Sequence, residues 1–451
     1  MQGNLSNRPV RLLLAAILTM ASGLIATAHA VVPELPTVEG PITGPGPMHP
    51  WIRNGPEGTN LEDFDYTVEE YFVSGMAAGA SYKVRVLIRK PSNPNMFSGM
   101  VVGEPTHRGG NMLICQYARF GIGHRGHACM AVGARPINHV NNATPGAGLH
   151  QFNFERYGSL HVANNQQNEI LAQVGRLVKS NHPDSPMGES YPVRTMMLGG
   201  TSDSSGAART YMSSTSMLDH ADLRMPDGGP IYDGFFVTST LGGAIVPITD
   251  VPTIQMPSQS EVHAPNNSNT YRRPDSDAPG NQFRLYEPAA MTHNDARENP
   301  IFSGCTNPLS HYPHGALTFM GLQHLLDWST HGTIPPRADY IEVDNDTSDG
   351  TRVALDEFGN AKGGVRSTYV DVPAFTFTVP NSGPGLCSQT GYITPLPDET
   401  LQALYGSYGG YVSRVRHRLK ELIDEGWFPK EYAQDYVQRD LKRSSQFPGA
   451  Q

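Results

Sequence analysis

The chain has 451 residues, 33 of them basic and 42 acidic, with a formal net charge of −9 at pH 7. That balance argues against nucleic acid as a partner. With 47 glycines and 37 prolines the composition argues against a helical bundle and for a core carrying long loops.

At the N-terminus, Arg8 and Arg11 precede an apolar run from Leu12 to about Ala26, and Ala28-His29-Ala30 fits a cleavage site. This is the pattern of a secretory signal peptide, residues 1–30, cut after Ala30. The apolar run is short for a bilayer span, and no later segment is long and apolar enough to be one. A secreted or periplasmic location without a stable membrane span is therefore expected. Two of the 33 basic residues and none of the 42 acidic ones lie in this segment, which leaves 31 against 42, or −11, for the mature chain. Export permits disulfides. Cys115, Cys129, Cys305 and Cys387 allow three complete pairings. Cys305 and Cys387 both lie in loop-rich sequence and are the expected pair.

Residues 31–65 are rich in proline and glycine and read as irregular. Residues 66–451 read as a single large domain, in which 305–400 is a loop-rich decorating region. YKVRVLIRKP (82–91) alternates like a strand. SGMVVGEP (98–105) and HACMAVGARP (127–136) are two more, each stopped by proline. NEILAQVGRLVKS (168–180) puts Ile170, Val174, Leu177 and Val178 on one helical face. VRTMMLGG (193–200) is an apolar strand ending near Leu198, followed by a helix over 206–218. YDGFFVTST (232–240), VPTIQMPS (251–258) and FRLYEPAAMTH (283–293) supply further strands. GALTFMGLQHLLDWSTHG (315–332) is a helix capped by Gly332 and stopped by Pro335-Pro336. A strand-like piece at 369–379 and a helix within 404–428 complete the list. Strands alternating with helices or long connections predict an α/β fold with a mostly parallel sheet and helices on both faces.

GGTSDSSG (199–206) lies between strand and helix. A nucleophile elbow requires this context, because a tight turn there lifts a serine hydroxyl above the sheet edge. Ser202 has Gly200 at −2 and follows the strand end most closely, so it is the favoured nucleophile. Ser204, with Gly206 at +2, is the alternative. The bland reading is that these serines cap the helix. A serine needs a base oriented by a carboxylate, and the chain order serine, acid, histidine selects Glu261, just past strand 251–258. His293, after strand 283–293, is the matching base. The intervals of 59 and 32 residues each leave room for a helix–strand crossing. Asp250 lies at the wrong strand end; Asp275 and Asp277 follow a long polar loop. His263, His311 and His314 are the lesser histidines. The backbone N–H of Asp203 is the expected first oxyanion donor. The second is expected from the loop 103–110, with Glu104 to His107 the best segment. HRGH (124–127) and HYPH (311–314) space histidines by three, but no CxxC, HExxH or carboxylate pattern completes a metal site. No metal and no organic cofactor is expected.

SGMVVGEP (98–105), GTSDSSGAARTY (200–211), YDGFF (232–236), VPTIQMPSQSEV (251–262) and FRLYEPAAMTH (283–293), with CTNPL (305–309), DEFGNAKGGVRSTYVDVP (356–373) and the C-terminal helical region, resemble the alpha/beta hydrolase domain family 10 over most of the mature chain. Its elbow, GxSQTGGYxRTY, maps its first serine onto Ser202. Asp203, Ser204 and Ser205 depart from it, whereas Arg209, Thr210 and Tyr211 match. Glu261 stands where the family usually has aspartate, His293 takes the histidine position, and the Glu104 position matches. Asp356, Gly359, Asn360, Gly363, Gly364 and Arg366 match a late loop expected to shape the pocket or brace the domain. Asp356 is the alternative acid. The resemblance implies an α/β-hydrolase fold with long loop insertions and a serine-dependent hydrolase cleaving a carboxylic ester through an acyl-enzyme. The competing readings are a depolymerase of extracellular polyesters or sugar esters, and an inactive exported binding protein on a hydrolase scaffold.

Overall fold

Nine strands hydrogen-bond into one sheet in the order β1-β2-β3-β5-β4-β6-β7-β8-β9. The computed structural model describes residues 35–50, 53, 55, 58–144, 146–215, 223–240, 245–263, 271–297, 302–344, 352–434 and 441; the expected signal peptide lies outside them. The chain divides into two units, Met1–Val32 and Pro33–Gln451, and everything below concerns the second.

The strands are β1 (Thr37–Glu39), β2 (Tyr66–Ala77), β3 (Ala80–Pro91), β4 (Met100–Pro105), β5 (Ala128–Val132), β6 (Thr195–Thr201), β7 (Gly234–Thr238), β8 (Thr253–Met256) and β9 (Phe283–Leu285). The first three and the β3–β5 pair run antiparallel, and β5-β4-β6-β7-β8-β9 run parallel. Strands β5 to β9 are buried throughout. Their continuous apolar character follows from being covered on both faces.

The helices that frame the sheet are α1 (Leu113–Arg125), α2 (Gln167–Lys179), α3 (Asp203–Thr215), α4 (Gln259–His263), α5 (His314–His331) and α6 (Tyr408–Asp424). Neighbouring residues of β6 show how they are arranged. A Cβ on Gly199 would lie 2.5 Å from Ile114 of α1, whereas one on Gly200 would lie 2.3 Å from Ser204 of α3. Successive strand residues point to opposite faces, so α1 and α3 cover opposite sides of the sheet. This is the α/β-hydrolase fold. Among the described residues no helix is long and apolar enough to cross a membrane.

The structure adds elements that the sequence pattern did not offer. The segment 31–65 contributes the edge strand β1 and a 3-10 turn at Leu61–Phe64. Strand β2 interrupts its alternation with Glu70, whose buried carboxylate pairs with Arg85 and with Arg156 at 2.7 Å. Helix α1 is buried from Leu113 to Ile122, including Gln116 and Arg119, so it shows no amphipathic stripe. Helix α3 starts at Asp203 rather than 206, and β6 runs on to Thr201. The 369–379 piece divides into a helical turn, Thr368–Asp371, and β10 (Phe375–Thr378), which pairs antiparallel with β11 (Tyr392–Pro395).

Cys115 of α1 bonds Cys129 of β5, and Cys305 bonds Cys387 as expected, closing a loop of 82 residues. The longer loop restricts the unfolded chain more. Replacing Cys305 and Cys387 together by serine is expected to lower the unfolding free energy by about 2–5 kcal/mol, measured by urea titration under non-reducing conditions.

Candidate active site

Ser202 is the single residue between β6 and α3, and its φ is +57°. A side chain in this left-handed region is strained. The local contacts hold it there. The Ser202 N–H donates to Thr238 O of β7 at 3.2 Å. Gly200 leaves room for the helix backbone that a Cβ would strike. Ser204, where a GxSxG elbow would have glycine, is fully buried. Its hydroxyl donates to Glu104 Oε1 at 2.7 Å and accepts the Thr201 N–H at 2.9 Å. Ser204 therefore clamps the turn from behind, and the structure brings Ser202, not Ser204, to a histidine.

That histidine is His293. Its Nε2 lies 3.0 Å from Ser202 Oγ, and its Nδ1 lies 2.6 Å from Glu261 Oε1. The carboxylate can only accept, so Nδ1 carries the ring proton and Nε2 accepts from the serine. Imidazole and carboxylate are both buried, at 4% and 3% exposure. Glu261 sits on the short helix α4, and its second oxygen accepts the Ser258 N–H at 2.6 Å. Ser258 and Glu261 thus form the S-x-x-E half of a capping box: one oxygen closes the helix, the other orients the imidazole. This is how the longer glutamate is accommodated. The two residues between them grip the histidine loop. Gln259 Oε1 accepts the Ala290 N–H at 2.6 Å, and Ser260 Oγ accepts the His293 N–H at 3.1 Å. Ala290 itself takes a φ of +72°. Downstream, Asn294 N–H donates to Gln389 O at 2.8 Å, two residues beyond the Cys305–Cys387 bridge.

The other expected residues lie elsewhere. Asp356 Oδ1 accepts the Phe358 and Asn360 N–H groups and closes its own turn. Asp250 pairs with Arg224, and Asp277 with Arg284 and Arg337. His311 sits among the rings of Tyr369, Phe375 and Phe377. Burial draws His314 down to about 3, against the edge of Tyr117. Among the described residues no cluster of three His, Cys, Asp or Glu could hold a metal.

Glu104 belongs to strand β4, and its carboxylate faces Ser204 and the Ile114 N–H at 3.0 Å rather than the cavity. Burial pushes it up to about 7. The loop after it offers little backbone as an oxyanion donor. The N–H of Thr106 goes to Val132 O, of His107 to Asn111 O and of Gly110 to His107 O. Arg108 N–H goes to Asp203 Oδ2. Gly109 N–H donates to His107 Nδ1 at 2.9 Å, which makes that nitrogen an acceptor and leaves the proton on Nε2. Burial lowers the His107 imidazole to about 4, with Arg135, His293 and Arg108 adding to the effect against Asp203. Asp203 opens α3, so its own N–H has no acceptor within the helix. Burial opposes ionisation of its side chain, but Arg135 at 2.7 Å and the Arg108 N–H outweigh it and hold the carboxyl at about 2. Ser202, His293 and His107 line one cavity of about 580 Å³, together with Arg53, Arg108 and Arg209. The parts played by Gln259 and Ser260 were not apparent in the sequence, although the S-x-x-E spacing at 258–261 was a readable signal for them; His107 lay at the end of the segment expected to supply the second oxyanion donor, but as a backbone donor rather than through its ring.

The chain belongs to the family described as an alpha/beta hydrolase domain, whose profile matches residues 38–438; it is a hydrolase-fold protein of the serine-hydrolase-like kind. No curated protein matches it. Solved structures resemble it distantly. The esterase Est22 is 12% identical with a TM-score of 0.27, covering 44% of this chain and 66% of its own. A thermostable esterase from Pseudomonas putida is 10% identical at TM-score 0.35, covering 58% and 82%. One of two fungal esterases from Rhizomucor miehei is 8% identical at TM-score 0.35, covering 64% and 100%. Likenesses at this level carry no inference about the reaction.

Glu104 gives a pH test of the clamp. Its folded value near 7 lies above the ordinary 4.5. Its contribution to stability is therefore complete below about pH 4.5 and is lost as pH rises through 7, by about 3 kcal/mol. Glu104→Gln should lack this dependence. Urea titrations of both proteins from pH 4.5 to 8 should show the wild type losing ground to the variant as pH rises.

Proposed function

We propose that the protein is a serine-dependent carboxylic ester hydrolase that works through an acyl-enzyme, with Ser202 as nucleophile, His293 as base and Glu261 as the orienting acid. The observation that carries this reading is the relay from Ser202 Oγ to His293 Nε2 at 3.0 Å and from Nδ1 to Glu261 at 2.6 Å, ending at a cavity wall. A hydroxyl alone is a poor nucleophile at neutral pH; a base within hydrogen-bond reach removes that limit.

Ser202 Oγ attacks the ester carbonyl carbon while its proton passes to His293 Nε2. Glu261 stabilises the resulting imidazolium. The carbonyl oxygen becomes an oxyanion, which accepts from the Asp203 N–H and from His107 Nε2–H. On collapse, the alkoxide leaves with the proton from His293. Water then gives a proton to the same nitrogen and attacks the acyl carbon, and Ser202 recovers its proton as the carboxylic acid departs. His107 suits its role because a neutral imidazole donates without adding a competing positive charge to His293. The pairing of Asp203 with Arg108 and Arg135 removes a negative charge that would oppose the oxyanion. A cavity near 580 Å³ has the capacity for a small ester rather than a polymer chain.

We read residues 66–451, joined by the edge strand β1 from the segment before them, as one hydrolase domain, in which the 305–400 region contributes Leu386 and Gln389 to the cavity. Two disulfides suit an oxidising compartment and so support export.

Ser202→Ala should lower kcat on a small ester by about 10⁶-fold and abolish labelling by a serine-reactive phosphonate; retained labelling would defeat the assignment. Glu261→Gln should cost about 10⁴-fold. His107→Ala should lower kcat by about 10²–10³-fold with little change in KM, and His107→Gln, which restores an N–H donor, should recover part of the loss. A change confined to KM would remove His107 from the oxyanion site.

A further inference from the structure

We propose that the cavity recognises a carboxylate on the substrate through Arg209, so that the preferred ester is the half-ester of a dicarboxylic acid or a similarly anionic molecule. This rests on the ester-hydrolase reading above and names its substrate class.

Arg209 lies on α3, seven residues after Ser202 and so about two helical turns along the same face. It lines the cavity that holds Ser202 and His293. Its guanidinium has no ion pair among the described residues, and its Nε is buried without a hydrogen-bond partner. Several arginines elsewhere in the fold are matched by a carboxylate, although Arg273, like Arg209, has an Nε without a partner. Arg85 meets Glu70, Arg272 meets Glu287 and Arg284 meets Asp277. A guanidinium does not escape by losing its proton, and a partly buried charge without a counterion is costly. Burial lowers the affinity of the Arg209 guanidinium for its proton.

The rest of the wall has the same sign. Arg53 and Arg108 also line the cavity, and among the described residues Asp203 is its one acidic lining residue. Asp203 is already taken: Oδ1 by Arg108 Nε at 3.0 Å, Oδ2 by the Arg108 N–H at 2.8 Å and Arg135 Nη2 at 2.7 Å. A chain with a net charge of −9 thus surrounds its nucleophile with excess positive charge. The planar fork of Arg209 matches a carboxylate bidentately, and a small ester whose carbonyl sits at Ser202 can carry a second carboxylate further along α3.

The test compares monomethyl glutarate with methyl pentanoate, a neutral ester of similar length, by pH-stat at low ionic strength. The wild type is expected to favour the anionic ester in kcat/KM by about tenfold or more, and added salt should narrow the ratio. Arg209→Gln should reduce the ratio by about tenfold or more, and Arg209→Glu should bring it below one. Because each ratio is internal to one protein, partial misfolding of a variant does not alter it. A wild-type ratio at or below one, or a ratio unchanged in both variants, overturns the proposal while leaving the hydrolase reading intact. Turnover of neither ester, or turnover that survives Ser202→Ala, sinks the hydrolase reading itself.

Discussion

The arrangement depends on holding one non-glycine residue, Ser202, in the left-handed region between a parallel strand and a helix. Such a conformation costs of the order of 1–3 kcal/mol and persists when its surroundings over-determine it. Here they do so from three directions. Thr238 of the neighbouring strand accepts the Ser202 N–H. Gly200 admits the returning helix. Behind the turn, the buried Ser204 hydroxyl joins Glu104 on β4 to the Thr201 N–H on β6. The elbow is thereby tied to β4, β6 and β7 and to the start of α3.

The imidazole is positioned with equal economy. The run Ser258-Gln259-Ser260-Glu261 closes a helix, holds the backbone of Ala290 and His293, and supplies the carboxylate to Nδ1. A glutamate serves where the reach must extend from a helical first turn rather than from the strand end. On the far side, Gln389 fixes Asn294, and the bridge to Cys305 fixes the segment that carries Gln389. Four stretches distant in sequence meet because each is anchored to its neighbour by hydrogen bonds, with the sheet as their common floor.

The sequence showed those parts of this whose cause is local. Strands β3 to β9 stood out as apolar runs bounded by glycine and proline, and the strand–turn–helix around Ser202 and the order of Glu261 and His293 followed from them. The hidden parts depend on partners far away. Strand β2 carries a glutamate inside because Arg85 and Arg156 wait for it. Helix α1 lacks a polar face because the β-sheet, α5 and the N-terminal segment cover it. Glu104 looked available for the oxyanion loop because the serine that engages it lies 100 residues away. The tautomer of His107 depends on a loop closing back on itself through Gly109, and no spacing rule marks that.

His107 and His293 show how environment divides one side-chain type into two chemical parts. Behind His293 stands a carboxylate, so Nδ1 is a donor and Nε2 is an acceptor. Behind His107 stands an amide N–H, so Nδ1 is an acceptor, Nε2 is a donor, and burial, with the arginines adding to it, discourages a second proton. In the proposed reaction the first ring receives the proton that the nucleophile releases, and the second faces the charge that the carbonyl develops. Exchanging the groups behind the rings would exchange those capacities without moving either histidine. Arg108 and Arg135, which add to the effect of burial on His107, also pair with Asp203, and Arg53, Arg108 and Arg209 outnumber that carboxylate among the described lining residues. In the proposed reaction the oxyanion is met by the Asp203 N–H and His107, and the carboxylate of an anionic ester by Arg209 further along α3.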